Sequence, residues 1–165
     1  MIFIDMGRYS YTKALDRLRE WAESEGFKDI SLNYTDVSLI NWKDKTLNVP
    51  DIIRIEKNHT KETRVYLFLH ELGHHELRRN WDRYRELFPI LTEAEEFELI
   101  HPKDYSHRRR IGYIASEIEE EFMAWNEGLR LGNELGIRID MDKWLKLKYK
   151  SVMSYIRYYG SKKNF

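Results

Sequence analysis

The stretch LFLHELGHHELRR, residues 67–79, decides how the rest of the chain is interpreted. Its apolar residues recur at helical spacing, which predicts a helix with one buried face. His70 and His74 are four residues apart, so they lie on the same side of that helix with Cβ atoms about 5–6 Å apart. Two imidazoles at this spacing can bind one tetrahedral Zn²⁺, and the stretch therefore predicts part of a metal site.

Glu71 follows the first histidine directly. Because it is one step round the helix from His70, its carboxylate is poorly placed to bind the same ion but can reach a water on the metal. Coordination lowers the pKa of such a water towards 7, and a carboxylate can then accept its proton. Gly73 costs about 1 kcal/mol in a helix interior, which indicates that something approaches the helix backbone there. The competing interpretation is a helix whose histidines face solvent or are hydrogen-bonded in the core.

A catalytic zinc site needs three protein ligands and one open position. The main source of the third ligand is IASEIEEEFMAW, residues 114–125, in a long predicted helix. A helical wheel of about 100° per residue predicts its buried stripe. The stripe comprises Ile111, Ile114, Ala115, Ile118, Phe122, Trp125 and Leu129. Glu121 falls on its rim and is the preferred ligand, with Glu117 second. Gly128 and Gly132 lie on the Glu121 side and would let another element come close.

Other candidates for this part of the site remain open. Glu119 and Glu120 are predicted to belong to a solvated acidic face of the helix. His101 and His107, in the loop-like segment HPKDYSH, are rival third ligands.

The pattern as a whole resembles a known family. An HELGH helix that follows a small hairpin and precedes a glutamate-bearing helix is similar to the zincin metallopeptidases, most closely the gluzincin group and the ImmA/IrrE-type proteins. The resemblance spans roughly residues 10–131, and HELGH is its specific motif. This chain reads EEEFMAW where those relatives typically read E-A-N-x-F-A, and it carries an extra piece, 81–105, between the two helices. The fold implied has an N-terminal helix, a small curved mixed sheet, the two metal-binding helices and a C-terminal helix.

The activity implied is zinc-dependent hydrolysis of peptide bonds. Zn²⁺ would be bound by His70, His74 and Glu121, and Glu71 would be the general base. Tyr66, one turn before His70, is a candidate for stabilising the oxyanion. The alternative is a non-catalytic protein-interaction module on a zincin scaffold, with a structural metal.

Local patterns predict a single α+β domain over residues 1–165. A helix, a strand and a hairpin around the turn KDK come first, and Pro50 is expected to end the hairpin. Helices then follow, one of them begun by a capping box of Thr92 and Glu95 and the next capped by Ser106. Asp140 is predicted to cap the last helix.

Composition limits the partners. The formal net charge is zero, so general attraction to nucleic acid or to an acidic membrane is not expected. The basic HRRR segment and the seven Lys or Arg between Lys143 and Lys163 are interpreted as solvated faces rather than as a nucleic-acid interface. The chain has no cysteine, no secretory signal and no membrane-spanning run, so we expect a cytoplasmic protein that acts on a protein or peptide substrate.

Overall fold

The computed structural model of the protein describes residues 9–36, 38–44 and 49–161. The described residues form six α-helices, one short 3₁₀ helix and a three-stranded sheet, which confirms the predicted α+β class. The elements are α1 (Tyr11–Ser24), β1 (Asp29–Tyr34), β2 (Leu39–Asp44), β3 (Val49–Glu56), α2 (Lys61–Arg78), α3 (Trp81–Leu87), α4 (Pro89–Ile100), the 3₁₀ helix (Ser106–Arg109), α5 (Ile111–Glu134) and α6 (Met141–Ser161).

The sheet is mixed, as predicted, with strand order β1-β3-β2. β3 pairs parallel with β1 and antiparallel with β2, which leaves β2 at one edge. The expectation that Pro50 ends the hairpin is wrong, since Pro50 lies within β3 opposite Trp42. The register shifts on both sides of Trp42, and such an irregularity tolerates a residue without a backbone N–H. Residues 45–48, which include the last residue of the predicted turn KDK and most of the predicted second strand, lie outside the described residues.

The main core lies between α1, the sheet, α2 and the last two helices. β3 contributes Ile53 and Ile55, which are fully buried because their side chains share one face of the strand. α1 packs its apolar stripe against the same core, and Trp144 of α6 closes it on the far side. A second, smaller cluster joins α3 and α4 to the start of α5. The fold thus places α2 and α5 side by side in the centre of the molecule.

Contact between α2 and α5 involves the main chains themselves. A Cβ atom on Gly73 would lie 1.9 Å from the carbonyl oxygen of Ala124, and one on Gly128 would lie 2.3 Å from that of Leu69. No side chain fits at either position. Both glycines therefore permit the close approach that their positions in the sequence predicted.

The buried face of α5 differs from the predicted stripe. Ile111 is 69% exposed and Phe122 is 38% exposed, although both were expected to be buried. The residues that are buried are Tyr113, Glu121, Ala124, Trp125, Gly128, Leu131 and Gly132. This face is centred roughly 95° away from the centre of the predicted stripe on the helical wheel. The physical reason is that small residues, rather than large apolar ones, mark the side on which α2 packs.

Two predicted helix starts are also wrong. Thr92 lies inside α4, where its hydroxyl donates to the carbonyl oxygens of Phe88 and Pro89 instead of capping a helix. Ser106 begins the 3₁₀ helix, and α5 starts later, after Arg110. The predicted cap of α6 is present, since Asp140 accepts hydrogen bonds from the first turn of that helix. Within the described ranges, no helix has both the length and the apolar character to cross a membrane.

We predict that Gly73→Ala destabilises the protein by at least about 3 kcal/mol, because the added methyl group collides with main-chain atoms that cannot move aside. Gly160→Ala is the matched control. It lies in α6 with no described atom within 4 Å of the new Cβ, and is expected to stabilise the protein by up to about 1 kcal/mol. Urea unfolding of both variants measures this, and a Gly73→Ala protein as stable as the wild type would contradict the close packing.

Candidate metal centre

The three predicted ligands converge at the contact between α2 and α5. His70 Nε2 lies 3.2 Å from Glu121 Oε1, and His74 Nε2 lies 3.3 Å from Glu121 Oε2. One nitrogen or oxygen atom from each of the three side chains lies within 4.8 Å of the others. Two ligands about 2.0–2.1 Å from one tetrahedral ion are about 3.3–3.4 Å apart, so the carboxylate spacing suits a shared ion.

Glu121 is deeply buried, with 2% of its surface exposed. Its Oε1 accepts hydrogen bonds from Trp125 Nε1 at 3.2 Å and from Ser151 Oγ at 2.6 Å. Burial raises the pKa of the Glu121 carboxyl, but the adjacent His70 and His74 lower it more strongly, so the pKa falls below its ordinary value. The side chain is therefore held as a carboxylate, the form that binds a cation.

Glu120 does not face solvent, which corrects the sequence prediction. Its Oε1 lies 3.0 Å from His74 Nδ1, the ring nitrogen that is turned away from Glu121. Burial lowers the pKa of His74, but Glu120 and Glu121 raise it well above its ordinary value. A carboxylate on the far nitrogen of a histidine fixes the orientation and tautomer of the ring.

Glu71 is buried beside this cluster and lines the cavity that adjoins it. The cavity has a volume of about 500 Å³ and is bounded by β2, α2, α5 and α6. Burial raises the pKa of Glu71, and the carboxylates of Glu121 and Glu120 add to the increase, while His70 and His74 oppose it. A carboxylate with a raised pKa at the wall of a cavity is suited to accept a proton from a molecule bound there.

Tyr66 is not brought into the cavity. It is fully buried on another side of α2, and its hydroxyl donates to Glu62 Oε1 at 3.0 Å. The backbone N–H of Asp140 donates to the same hydroxyl at 2.8 Å. These bonds tie α2 to the start of α6, so the structure corrects the suggestion that Tyr66 faces the reacting groups.

Glu117 also lies outside the cluster, one turn before Glu121. It accepts hydrogen bonds from Tyr113 at 2.9 Å and from Tyr159. It lines the cavity, and its carboxylate is bonded to two phenols. The carboxylate that contacts the outer nitrogen of His74 is Glu120.

The histidines of the segment 101–107 lie outside the ligand cluster. His107 is buried, with Nε2 2.9 Å from Glu98 Oε1, and it packs near Phe97. His101 is exposed and lies against the same phenylalanine ring. Neither belongs to the ligand cluster found among the described residues.

Several residues of α6 complete the cavity and were not predicted as part of the site. They are Leu147, Lys150, Ser151, Ser154 and Tyr155. Burial raises the pKa of the Tyr155 phenol, and the nearby Glu121, Glu120, Glu117 and Glu71 raise it further, so the hydroxyl stays protonated. The basic residues of α6 were predicted to lie on a solvated face, but no motif showed that another face of this helix closes the candidate site.

Comparison with protein-family models, with curated proteins and with solved structures found no match to this chain. The resemblance to the zincins therefore stays a prediction, and HELGH is its specific motif.

In metal-free protein, we predict an NMR-detected pKa of His74 well above its ordinary value of about 6.5. Glu120→Gln removes one of the two carboxylates responsible and should lower the pKa, whereas exposed Glu119→Gln should leave it unchanged. A raised folded-state pKa contributes stability that is complete below about pH 6.5 and is lost as the pH rises through that pKa. The stability difference between wild type and Glu120→Gln should therefore shrink at alkaline pH. An unshifted His74 would contradict the charge pairing.

Proposed function

We propose that the protein is a zinc-dependent metallopeptidase with a zincin-like arrangement of α2 and α5. The observation that carries the proposal is the convergence of His70, His74 and Glu121 at the wall of a cavity that Glu71 also lines. Ligands, a general base and space for a substrate thus occur together, although they come from helices separated along the chain.

The side chains of His70, His74 and Glu121 have the ligand chemistry that zinc requires. Two imidazole nitrogens and one carboxylate are a ligand set typical of catalytic zinc sites. If His74 Nδ1 donates its hydrogen to Glu120, Nε2 has a free lone pair directed towards Glu121. The adjoining cavity leaves one side of the cluster accessible, as a catalytic site requires and a closed structural site does not.

The chain supplies the proton transfers. Bound Zn²⁺ would lower the pKa of a water molecule towards 7 and would polarise a peptide carbonyl group. Glu71 accepts the proton of the attacking water and later delivers it to the leaving amine. Between the two steps, Glu71 must hold the proton. Its raised pKa suits this role, because a carboxylate of low pKa would bind the proton too weakly. Glu121 and Glu120 stay ionised beside it, since each has a histidine partner.

The cavity is suited to a peptide substrate. Its lining includes Leu39, Ile40 and Trp42 of β2 and Tyr155 of α6. In place of Tyr66, we propose that the protonated Tyr155 hydroxyl donates to the oxygen that becomes negatively charged during attack.

A non-catalytic interaction module with a structural metal is the alternative. The accessible cavity and the placement of Glu71 in its wall favour catalysis over that alternative.

We predict that wild-type protein, purified with zinc, cleaves peptides in denatured extract of its own cells. Glu71→Gln should keep about one zinc per chain but lose activity by about 10²–10⁴-fold, because it removes the proton acceptor. Glu119→Gln is the control and should keep full activity. Product peptides are counted by mass spectrometry. Undiminished cleavage by Glu71→Gln would exclude it as the base, and a cellular effect that survives this substitution would favour the interaction module.

Zinc affinities of four alanine variants test the assignment of each glutamate. We expect Glu121→Ala to abolish stoichiometric binding, since it removes one of only three ligands. Glu120→Ala should weaken binding by about 10–100-fold through the loss of its bond to His74. Glu119→Ala and Glu117→Ala should bind like wild type, because Glu119 is exposed and the carboxylate of Glu117 accepts hydrogen bonds from two tyrosines. Competition with a chromophoric chelator measures these affinities, and equal affinities for Glu121→Ala and wild type would exclude the proposed site.

A further inference from the structure

Ser151 of α6 donates a hydrogen bond to the carboxylate that would bind the metal. Its hydroxyl lies 2.6 Å from Glu121 Oε1, and the two residues are 30 positions apart in sequence. The indole N–H of Trp125 donates to the same oxygen at 3.2 Å. The same oxygen lies 3.2 Å from His70 Nε2, and the other carboxylate oxygen, Oε2, lies 3.3 Å from His74 Nε2. Two donors on one oxygen resist rotation of the carboxylate about its bond to the rest of the side chain.

The position of Ser151 does not depend on this bond alone. Trp144 anchors α6 about two turns before Ser151. Its ring packs edge-on against the rings of Trp125 and Tyr66, with distances between ring centres of 4.9 Å and 5.6 Å. Lys148 donates to Asn126 of α5 at 2.7 Å. The helix is therefore docked by other contacts, and it carries the Ser151 hydroxyl to a preset place.

We propose that Ser151 is a positioning residue that orients Glu121 for the metal, which makes α6 a third helix of the metal centre. The proposal rests on the metal site proposed above. Donors that orient a ligand commonly change metal affinity by about 10–100-fold. Because coupling between two events is reciprocal, the metal and the docking of the middle of α6 stabilise each other.

Ser154 provides a matched control on the same helix. It lines the same cavity, but its hydroxyl donates to the backbone carbonyl oxygen of Ser151, 2.6 Å away, and not to Glu121. Loss of that bond removes a local contact within α6 and leaves the carboxylate untouched.

The test compares hydroxyl and methyl groups of the same size. Ser151→Thr keeps the hydroxyl group and adds a methyl group. Ser151→Val has a second methyl group in place of the hydroxyl, so the two variants fill nearly the same space. We expect zinc affinity, measured by chelator competition, to fall at least about 10-fold in Ser151→Val and Ser151→Ala. Ser151→Thr should stay within about 3-fold of wild type, and Ser154→Ala within about 2-fold. Co²⁺-loaded protein should show an altered visible spectrum only in the variants that lack the hydroxyl, since the spectrum reports the ligand geometry.

Hydrogen exchange supplies a second readout. Zinc should slow amide exchange around residues 147–155 in wild type but much less in Ser151→Val. Equal zinc affinities for Ser151→Val and Ser151→Thr would overturn the role of Ser151 while leaving the metal site intact. A wild-type protein that binds no zinc would overturn the metal site and this inference together. If Ser151→Val and Ser154→Ala lose affinity equally, α6 acts only through general packing and the proposal is wrong.

Discussion

Gly73 and Gly128 let the main chains of α2 and α5 touch, and the candidate site depends on that contact. A helix pair held apart by larger side chains has its axes about 8–10 Å apart. With glycine on both sides, the helices come close enough for a short glutamate side chain on one helix to lie between two histidines on the other. The candidate ligands therefore come together only because the two helix backbones pack closely enough.

Three neighbouring carboxylates in this site have different properties because each has different surroundings. Glu121 lies between two imidazoles and is held ionised, whereas Glu120 is paired with the outer nitrogen of His74. Glu71 has no such histidine bond among the described residues, and burial makes it a better proton acceptor. Like charges at close range normally raise one another's pKa. Here the partner of each carboxylate decides which one takes up the proton.

The sequence predicted the parts of this site that depend on local periodicity. The spacing of His70 and His74 is a property of one helix, and the glycines indicated that something approaches closely. The position of Glu120 was predicted wrongly because the helical wheel of α5 was oriented by its large apolar residues. Some of these residues, such as Phe122, are exposed. Small residues form the real interface, and a hydrophobicity pattern gives them little weight.

The contribution of α6 could not be predicted for a different reason. Its residues reach the site through docking between helices, and periodicity shows which face is buried but not what it packs against. The same limit applies to Tyr66, whose place in α2 was clear but whose hydroxyl bonds to the start of α6. Pro50 was misjudged because a register irregularity in β3, which accommodates it, has no signal in the sequence.

The packing of Gly73 against Ala124 also closes a long loop, since residues 73 and 124 are 51 positions apart. Closing such a loop costs roughly 3.5 kcal/mol of chain entropy before the contact stabilises anything. α3 and α4 lie inside the loop and reduce this cost, because each forms from residues close in sequence. During synthesis, a chain that ends before α5 carries both histidines but no Glu121. The proposed set of three ligands is therefore complete only after α5 has emerged from the ribosome.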